Sequence, residues 1–366
     1  MTMSTNDFDL QEYMTKGVDR IVKEALRATL FDPEESLFIF SYARASKVAS
    51  KKRAALKEQG EHVPAFLIAS ITSSCNLHCA GCYSRANHAC SDEAPVSQLT
   101  SDEWKKIFLE AKELGIGFIL LAGGEPMLRK DVIDVAGTIP EILFPIFTNG
   151  TMIGDKYKEV FKQHRNLVPV ISIEGHKDKT DKRRGEGMYE TIESAMAYMR
   201  ENRILFGASV TVTKDNIKEV MSDEFVADLE INGAKLVFYI EFVPVTKEAA
   251  DLAPGDKERE YIRKRLTLLR NNNKRVIFVS FPGDEKSSGG CLAAGRGFFH
   301  INSHGGAEPC PFSPYSDINV KDTSIREALR SPLFNKLRSS GTLLEDHAGG
   351  CVLFEKRETV EGFIEG

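Results

Sequence analysis

Apolar residues divide the chain into three zones, each with its own periodicity. In the first zone, residues 1–64, apolar residues recur at steps of three and four, which lines one face of a helix. The series is Leu10, Met14, Val18, Ile21, Val22, Ala25 and Leu26. Asp32 and Pro33 predict the start of a second helix, because Asp is a favoured N-cap and Pro suits the first helical position. Gly60 predicts its end, so the first zone is predicted to be a helical extension.

The second zone, residues 65–285, alternates short apolar runs with helical stretches. The predicted strands are Phe66–Thr72, Gly117–Leu121, Phe144–Phe147, Val168–Ile173, Gly207–Val212, Leu236–Glu241 and Val276–Phe281. The predicted helices are Thr100–Leu114, Tyr157–Gln163, Tyr189–Asn202, Asn216–Ile231 and Asp256–Asn271. Thr100 and Glu103 form a capping-box pattern at the start of the first of these. Alternation at this spacing predicts βαβ units, and hence an α/β fold with a parallel sheet.

The third zone, residues 286–366, loses this rhythm. It is rich in glycine and contains three of the seven cysteines. We therefore predict a small irregular domain that follows the α/β core.

The composition is that of an ordinary globular protein. Of the 366 residues, 42% are hydrophobic and 28% are charged, so a sizeable core can be buried. The formal net charge is −5, and the sequence therefore offers no concentrated basic face for a nucleic acid. No apolar run reaches the roughly 18 residues that span a bilayer. The polar, acidic start of the chain is unlike a signal or transit peptide, and we predict a cytoplasmic protein.

Seven cysteines in a reducing compartment indicate metal or redox chemistry rather than disulfides. Cys75, Cys79 and Cys82 lie within eight residues, in a loop after the first predicted strand. A [4Fe–4S] cluster is usually held by four cysteines, so a loop that supplies three leaves one iron open to a small ligand. The alternative is a structural zinc site, but zinc ligands usually come as paired C-x2-C units with a fourth ligand.

This C-x3-C-x2-C loop resembles the signature of the radical S-adenosylmethionine (SAM) superfamily, and the resemblance covers residues 65–285. It implies a partial (β/α)6 TIM-like barrel. It also implies that Cys75, Cys79 and Cys82 hold a [4Fe–4S] cluster that cleaves SAM reductively. The resulting 5′-deoxyadenosyl radical would abstract a hydrogen atom from a substrate. An electron donor such as ferredoxin or flavodoxin is implied as a partner.

One position departs from the family pattern. Many members have an aromatic residue just before the third cysteine, against the adenine of SAM. Here Gly81 occupies that position and Tyr83 follows the third cysteine. Tyr83 is thus the aromatic candidate for this contact.

Further motifs follow the strands in the order in which the family carries them. The turn Gly123-Gly124-Glu125-Pro126 follows the second strand and resembles the family's motif for the amino group of SAM. Glycines let a backbone approach a ligand closely, and a carboxylate can accept hydrogen bonds from an ammonium group. Asn149 ends the third strand, where the family contacts the methionine moiety of SAM; Asn-Gly is otherwise simply a turn.

The fourth strand ends in a similar polar element. Ser172 and Glu174 are two residues apart and so point to one side of the strand. Both can hydrogen-bond ribose hydroxyls, as the family's Ser-x-Asp/Glu-Gly element does. Arg184 resembles a family residue that places a cation on the SAM carboxylate, and Arg183 is the alternative. An exposed ion pair is the other interpretation of this cation.

Cys291, Cys310 and Cys351 are too far apart in sequence to form a local site. They converge only if the segments fold around a shared object, and thiolates that converge in a reducing cell usually bind metal. The C-x13-G-x4-C spacing resembles SPASM and twitch domains, which implies an auxiliary [4Fe–4S] cluster. The usual C-x2-C close is missing, so the fourth ligand is His347 or the substrate. Three unrelated buried thiols are the alternative.

These motifs together predict a radical SAM oxidoreductase or maturase. A non-enzymatic metal or electron-transfer protein would explain the cysteines, but it gives no role to Gly123–Pro126. Peptide-modifying relatives often carry a β-rich leader-binding domain, whereas residues 1–64 are helical. A small molecule or lipid is therefore the preferred substrate, and a peptide is the alternative.

Two features remain open. Cys90 follows the cysteine loop and is a candidate hydrogen-atom donor to a product radical; a packed thiol is the simpler interpretation. The amphipathic N-terminal helix is a candidate for contact with a membrane surface. Packing of that helix on the barrel is preferred.

Overall fold

The computed structural model describes residues 33–92, 97–281, 289–345 and 351–365, and within the N-terminal segment residues 10, 17, 20, 21 and 23–25. The described positions of the N-terminal segment are helical. Most of the helix predicted from Leu10 to Leu26 lies outside the described residues, as does the predicted N-cap Asp32. The second helix begins at Pro33, and Gly60 follows its end with a left-handed φ of 80°.

The strands form one open sheet. They are β1 Phe66–Thr72, β2 Phe118–Gly123, β3 Phe144–Thr148, β4 Leu167–Ser172, β5 Gly207–Val212, β6 Leu236–Glu241, β7 Ile277–Phe281, β8 His300–Ile301 and β9 Ala307–Glu308. The order is β7-β6-β5-β4-β3-β2-β1-β8-β9. Strands β1 to β7 are parallel, as predicted, and their order is that of a partial barrel. The fold class and all seven predicted strands are confirmed.

The C-terminal zone is joined to this sheet. Strand β8 pairs in parallel with β1, and β9 pairs antiparallel with β8. The sequence analysis did not predict these strands, because two residues carry no periodic signal. The boundary placed at residue 286 therefore separates segments that share one sheet.

Helices alternate with the strands of the sheet and follow them in the C-terminal zone. They are α1 Pro33–Glu58, α2 Tyr83–Ala86, α3 Ser101–Leu114, α4 Lys130–Gly137, α5 Asp155–Gln163, α6 Lys177–Arg184, α7 Met188–Glu201, α8 Ile217–Val220, α9 Asp223–Ile231, α10 Asp256–Asn272, α11 Ile325–Ala328, α12 Pro332–Ser339, α13 Val352–Glu355 and α14 Arg357–Glu365. The capping box of Thr100 and Glu103 is present at α3. The helix predicted over Asn216–Ile231 is two helices, because the Ser222 hydroxyl accepts a hydrogen bond from the Phe225 amide and starts α9.

Side chains alternate along the strands between the helix layer and the concave side of the sheet, here called the lumen. In β1, Leu67, Ala69 and Ile71 are completely buried, whereas Phe66 and Ser70 keep some exposure. The Phe147 and Phe238 rings, from β3 and β6, meet at 5.1 Å although two strands separate them in the sheet. Such a contact requires a curved sheet, so the partly exposed strand residues line the lumen.

The longest described helix packs on the α/β core. On α1, the Tyr42 hydroxyl donates to the Gly117 carbonyl at 2.9 Å, and the Arg53 guanidinium donates to the Gly115 carbonyl. Within the described part of the chain, every helix is too short or too polar to cross a lipid bilayer.

Candidate active site

The cysteine loop lies against the glycine turn that ends β2. The Gly124 amide donates to the Thr72 carbonyl at 2.9 Å, and the Glu125 amide donates to the Ser74 carbonyl at 2.8 Å. A Cβ on Gly124 would lie 2.0 Å from the Ser74 oxygen. The sequence analysis explained these glycines by close approach of a ligand. In the structure, they let one backbone dock on another, which holds the cysteine loop in place.

Substitution of Gly124 should therefore loosen the loop. In Gly124→Ala, the methyl group overlaps the Ser74 carbonyl, and we expect a loss of about 1–3 kcal/mol in the free energy of unfolding. Gly154→Ala is the matched control, because a Cβ there meets no atom within 4 Å and the backbone is extended. Urea unfolding of both variants measures the difference. Equal stability of the two variants would contradict the docking role.

The three loop cysteines are free and partly buried. A hydrogen bond from the Cys90 thiol lowers the pKa of Cys75 to about 6, against burial, which raises it. Burial raises the pKa of Cys79, opposed by the Arg184 guanidinium, whose Nη1 lies 3.9 Å from Sγ. Among the described residues, no three Cys, His, Asp or Glu side chains are grouped as ligands of a single metal ion. The loop thus presents three separate thiols, two of them beside groups that favour the thiolate.

Cys90 lies behind this loop. It is 7% exposed, and the Ser91 amide donates to the Ser73 carbonyl at 2.9 Å, which fastens its segment to the cysteine loop. The pKa of Cys90 is raised because its proton is shared with Cys75. This location suits a residue that supports Cys75. The role of hydrogen-atom donor stays a prediction.

Glu125 ties the end of β2 to the end of β3. Its carboxylate accepts hydrogen bonds from the Met127 amide, the Thr148 hydroxyl and the Asn149 amide at 2.8–3.0 Å. Burial raises the pKa of Glu125 to about 7, and these hydrogen bonds oppose the shift. Pro126 follows as the first residue of a 3-10 turn. Glu125 is thus engaged by the chain itself.

Asn149 links this turn back to the cysteine loop. Its Nδ2 donates to Asn76 Oδ1 at 2.8 Å, and Asn76 Nδ2 donates to the Thr151 hydroxyl at 2.9 Å. Asn76 lies directly after Cys75, and the sequence analysis did not select it. The polar ends of β2 and β3 are thereby joined to the loop through side chains.

A cluster of buried, oppositely charged side chains lies just after the end of β4. Ser172 ends the strand with partial exposure, whereas Glu174 is completely buried and pairs with both Arg184 and Arg183. The sequence analysis assigned Glu174 and Arg184 to different parts of SAM; in the structure they are partners of each other. The Arg183 carbonyl also accepts from the Ala80 amide at 2.8 Å, so the cluster touches the cysteine loop.

This cluster retains unused hydrogen-bonding capacity. Glu174 Oε2, Arg183 Nε and Arg184 Nε are buried without a hydrogen-bond partner. Buried polar atoms are normally satisfied, so these atoms fit the binding of a polar ligand next to Cys79. The residues present are therefore consistent with a cluster and SAM.

An aromatic ring occupies the space beside Gly81. The φ of Gly81 is 68°, and the Phe242 ring lies 3.0 Å from the place of a Cβ on that residue. The Arg183 guanidinium stands 5.5 Å from the centre of the same ring. The sequence analysis missed Phe242, because it follows β6 as one more apolar residue of a core run.

Tyr83 faces elsewhere. Its ring contacts Phe312 edge-on at 4.8 Å, in the C-terminal zone. The pKa of Tyr83 is raised, first by burial and then by negative charge at Cys82, Cys310 and Glu308. Tyr83 therefore lies between the two sets of cysteines, and not beside Gly81.

The three C-terminal cysteines are buried in one small unit. The Cys291 amide donates to the Leu343 carbonyl at 2.8 Å, and the Ala294 amide donates to the Pro309 carbonyl, next to Cys310. Cys351 caps α13, which contacts the turn Thr342–Leu344. His347 lies outside the described residues.

A pH-dependent ion pair follows Glu174 in sequence. His176 bonds to Glu219 at 2.9 Å and to Asp228 at 3.1 Å. Burial lowers the pKa of His176, but the two carboxylates prevail and raise it. A raised pKa means stabilisation that is present below the ordinary value of about 6.5 and is lost as the pH rises through the folded value.

Asp228→Asn should therefore lower stability in acid and leave it unchanged in alkali. We expect the unfolding curves of wild type and variant to separate below about pH 6.5, the ordinary pKa of histidine, and to converge as the pH rises through the raised pKa of His176. His176→Gln is the control and should remove this pH dependence. Curves that separate equally at every pH would contradict the assignment.

The fold and the cysteine loop define a class of protein. The family model of the radical SAM superfamily matches residues 69–225, which contain the loop, the Gly123–Pro126 turn and the Glu174–Arg184 cluster. These residues therefore form a radical SAM domain, and the relatives of the chain are radical SAM enzymes. Enzymes of this superfamily use SAM and a [4Fe–4S] cluster, and they require a reductant.

Individual relatives cover most of the chain. An AdoMet-dependent heme synthase of Methanosarcina barkeri is 27% identical over 82% of this chain and 91% of its own length. A GTP 3′,8-cyclase of Clostridium perfringens is 25% identical over 74% of this chain and 90% of its own length. Two structures of Streptococcus suis SuiB are similar in fold. The structure bound to S-adenosylmethionine has a TM-score of 0.67 at 18% identity, and the match covers 84% of this chain and 78% of SuiB. The structure bound to the precursor peptide SuiA has a TM-score of 0.64 at 19% identity, and the match covers 89% of this chain and 78% of SuiB.

Proposed function

We propose that this enzyme cleaves SAM reductively at a [4Fe–4S] cluster held by Cys75, Cys79 and Cys82, and thereby starts hydrogen-atom abstraction from a substrate. The observation that carries the proposal is the loop itself, which offers three partly buried thiols and contains no fourth cysteine within the motif. When bound, the cluster and SAM supply a 5′-deoxyadenosyl radical. The role of the chain is to hold and orient both groups.

The chain's charges suit this role. Thiolates, not thiols, bind metal, and Cys75 has a pKa near 6. Arg184 places a positive charge at Cys79 while it neutralises Glu174. The buried Arg184 guanidinium thus offsets the negative charges of both the Glu174 carboxylate and the Cys79 thiolate. This positive charge favours an anionic iron–sulfur group at the loop.

We propose that SAM lies between the ends of β2, β4 and β6. The unpartnered Glu174 Oε2 and the partly exposed Ser172 hydroxyl are suited to ribose hydroxyls. The Phe242 ring, fixed between Gly81 and Arg183, provides the aromatic surface that position 81 lacks. The turn Gly123–Pro126 and Asn149 would serve the methionine end, mainly through backbone groups, since the Glu125 carboxylate is bonded within the chain.

A second, auxiliary [4Fe–4S] cluster at Cys291, Cys310 and Cys351 is also part of the proposal. Three buried thiols in one small unit support it. Tyr83 and Phe312 pack between this unit and the loop of Cys82. The fourth position would belong to His347 or to the substrate, and the cluster would either accept an electron after hydrogen abstraction or ligate the substrate.

The preferred substrate is a small molecule. Both the heme synthase and the GTP cyclase are named for small molecules, and both align over nearly their whole length. The described part of residues 1–64 is helical, without the β-rich pattern expected of a leader-binding domain. A peptide is the second candidate, supported by the fold shared with SuiB bound to its precursor peptide.

Anaerobic reconstitution with iron and sulfide tests the core of the proposal. We expect about eight irons per chain, because each [4Fe–4S] cluster holds four. Reduced flavodoxin should then convert SAM to 5′-deoxyadenosine. Binding of one zinc ion without SAM cleavage would overturn the proposal.

Deuterium transfer then identifies the substrate class. An iron porphyrin, GTP and a short peptide, each deuterated, are incubated with the reconstituted enzyme. The substrate is the compound whose deuterium enters 5′-deoxyadenosine. Transfer from the peptide alone would replace the small-molecule assignment by that of a maturase.

A further inference from the structure

A chain of polar side chains crosses from β9 through β8 to β1, outside the cofactor-binding elements described above. Glu308 on β9 and His300 on β8 are each 5% exposed. Glu308 Oε2 lies 2.7 Å from His300 Nδ1, and His300 Nε2 lies 2.7 Å from the Ser70 hydroxyl. Asn302 Nδ2 donates to the other carboxylate oxygen at 2.6 Å.

The hydrogen-bond pattern assigns the protons. An ionised carboxylate only accepts hydrogen bonds, so Glu308 requires the proton of His300 on Nδ1. In the neutral imidazole, Nε2 is then an acceptor and faces the Ser70 hydroxyl. A hydroxyl, an imidazole and a carboxylate in this order make up the arrangement in which a base activates a hydroxyl group.

The arrangement opens onto the lumen. His300 is in register with Ile68 on β1, so its side chain lies on the same sheet face as that of Ser70. Ser70 is partly exposed on the lumen side, whereas the imidazole and the carboxylate are shielded behind it. Tyr83 is close enough to Glu308 to feel its charge and also neighbours Cys82 and Cys310. The Glu308 end of this arrangement therefore lies near Tyr83, which neighbours both sets of cysteines.

We propose that Ser70, His300 and Glu308 form an acid–base site on the lumen wall, which takes a proton from an O–H or N–H group of the bound substrate. The substrate proton passes to Ser70 Oγ while the Ser70 proton passes to His300 Nε2. The products are a deprotonated substrate and an imidazolium paired with Glu308. The step transfers protons only, and no group is oxidised or reduced.

The use of this site in catalysis rests on the proposed function. A hydroxyl group beside a radical carbon is a stronger acid than the parent alcohol, so hydrogen-atom abstraction creates a need for a base at that place. His300 is the base, and Glu308 is a positioning residue that fixes its tautomer. Ser70 makes the contact with the substrate.

Diisopropyl fluorophosphate tests the site on the cluster-free chain, without SAM or substrate. The Ser70 oxygen bonds to phosphorus, fluoride leaves, and the hydroxyl proton passes to His300. We expect peptide mass spectrometry to find Ser70 labelled faster than Ser172, a partly exposed serine at the end of β4 that has no imidazole partner among the described residues. His300→Gln should slow the labelling of Ser70 by about 100-fold or more, the usual contribution of a positioned base.

A second measurement separates positioning from structure. The imidazole nitrogens of His300, followed by 15N NMR, should show the proton on Nδ1 in the wild type and a shift of tautomer in Glu308→Gln, with unchanged thermal unfolding. Labelling of Ser70 no faster than that of Ser172, or an unchanged tautomer in Glu308→Gln, would overturn the proposal. The NMR arm decides the matter if His300→Gln does not fold. Failure of the radical chemistry would instead show as missing iron or missing 5′-deoxyadenosine, with the labelling of Ser70 intact.

Discussion

Replacement of Cys75, Cys79 or Cys82 by Ala is expected to abolish formation of 5′-deoxyadenosine and to lower the iron content of the reconstituted chain from about eight to about four. Three thiolates are the fewest that hold a [4Fe–4S] cluster with one open iron, so each is indispensable. Reduction of SAM by flavodoxin, followed by chromatography of the nucleoside, measures activity. The absorption of the oxygen-free protein measures the cluster.

Cys291→Ala is the matched control, because it removes a buried thiol of the other set. It should also lose about four irons, but it should keep SAM cleavage, since the loop after β1 is intact. This reciprocal pattern separates the two clusters. Retention of SAM cleavage in Cys75→Ala would contradict the assignment of the loop, and retention of eight irons in Cys291→Ala would contradict the auxiliary cluster.

Arg184→Met is expected to cost about 3 kcal/mol in the free energy of unfolding, because it leaves the buried Glu174 carboxylate without its nearest cation. Arg183 remains 3.4 Å from Glu174, which keeps the cost at the low end of the range for a broken buried pair. The variant should also bind the cluster poorly, since it removes the guanidinium that lies 3.9 Å from Cys79 Sγ.

Lys182→Met is the control for this variant, on the same helix. Its ion pair with Asp215 spans 3.6 Å between two exposed side chains, and such pairs contribute about 0–1 kcal/mol. Urea unfolding of the cluster-free variants measures stability, and iron content after reconstitution measures the loop. Equal stability of Arg184→Met and Lys182→Met would show that the buried pair does not support this site.

The strands of the barrel could be predicted because their signal is local. Each of β1 to β7 is a run of five to seven mostly apolar residues between helical stretches, and this contrast is present in the sequence alone. Strand β8 consists only of His300 and Ile301. It forms because β1 offers a free edge, and that edge exists only after the sheet has assembled.

The site shows the same division. Cys75, Cys79 and Cys82 lie on one loop, so their spacing alone carried the prediction of a cluster. Glu174 and Arg184 were both selected, but only the structure shows that they neutralise each other. Phe242 was missed because its role depends on the Gly81 backbone, which is far away in sequence.

The sequence by itself determined the family, the α/β core and the three-thiol loop. Spacing and periodicity are patterns over a few neighbouring residues, so they can be recognised before the fold is known. The tertiary structure alone decided which charges are paired, which glycines carry backbone contacts, and that Ser70, His300 and Glu308 meet. These contacts join residues up to 230 positions apart. Burial then makes each of them strong, since a polar group removed from water must find its partner within the protein.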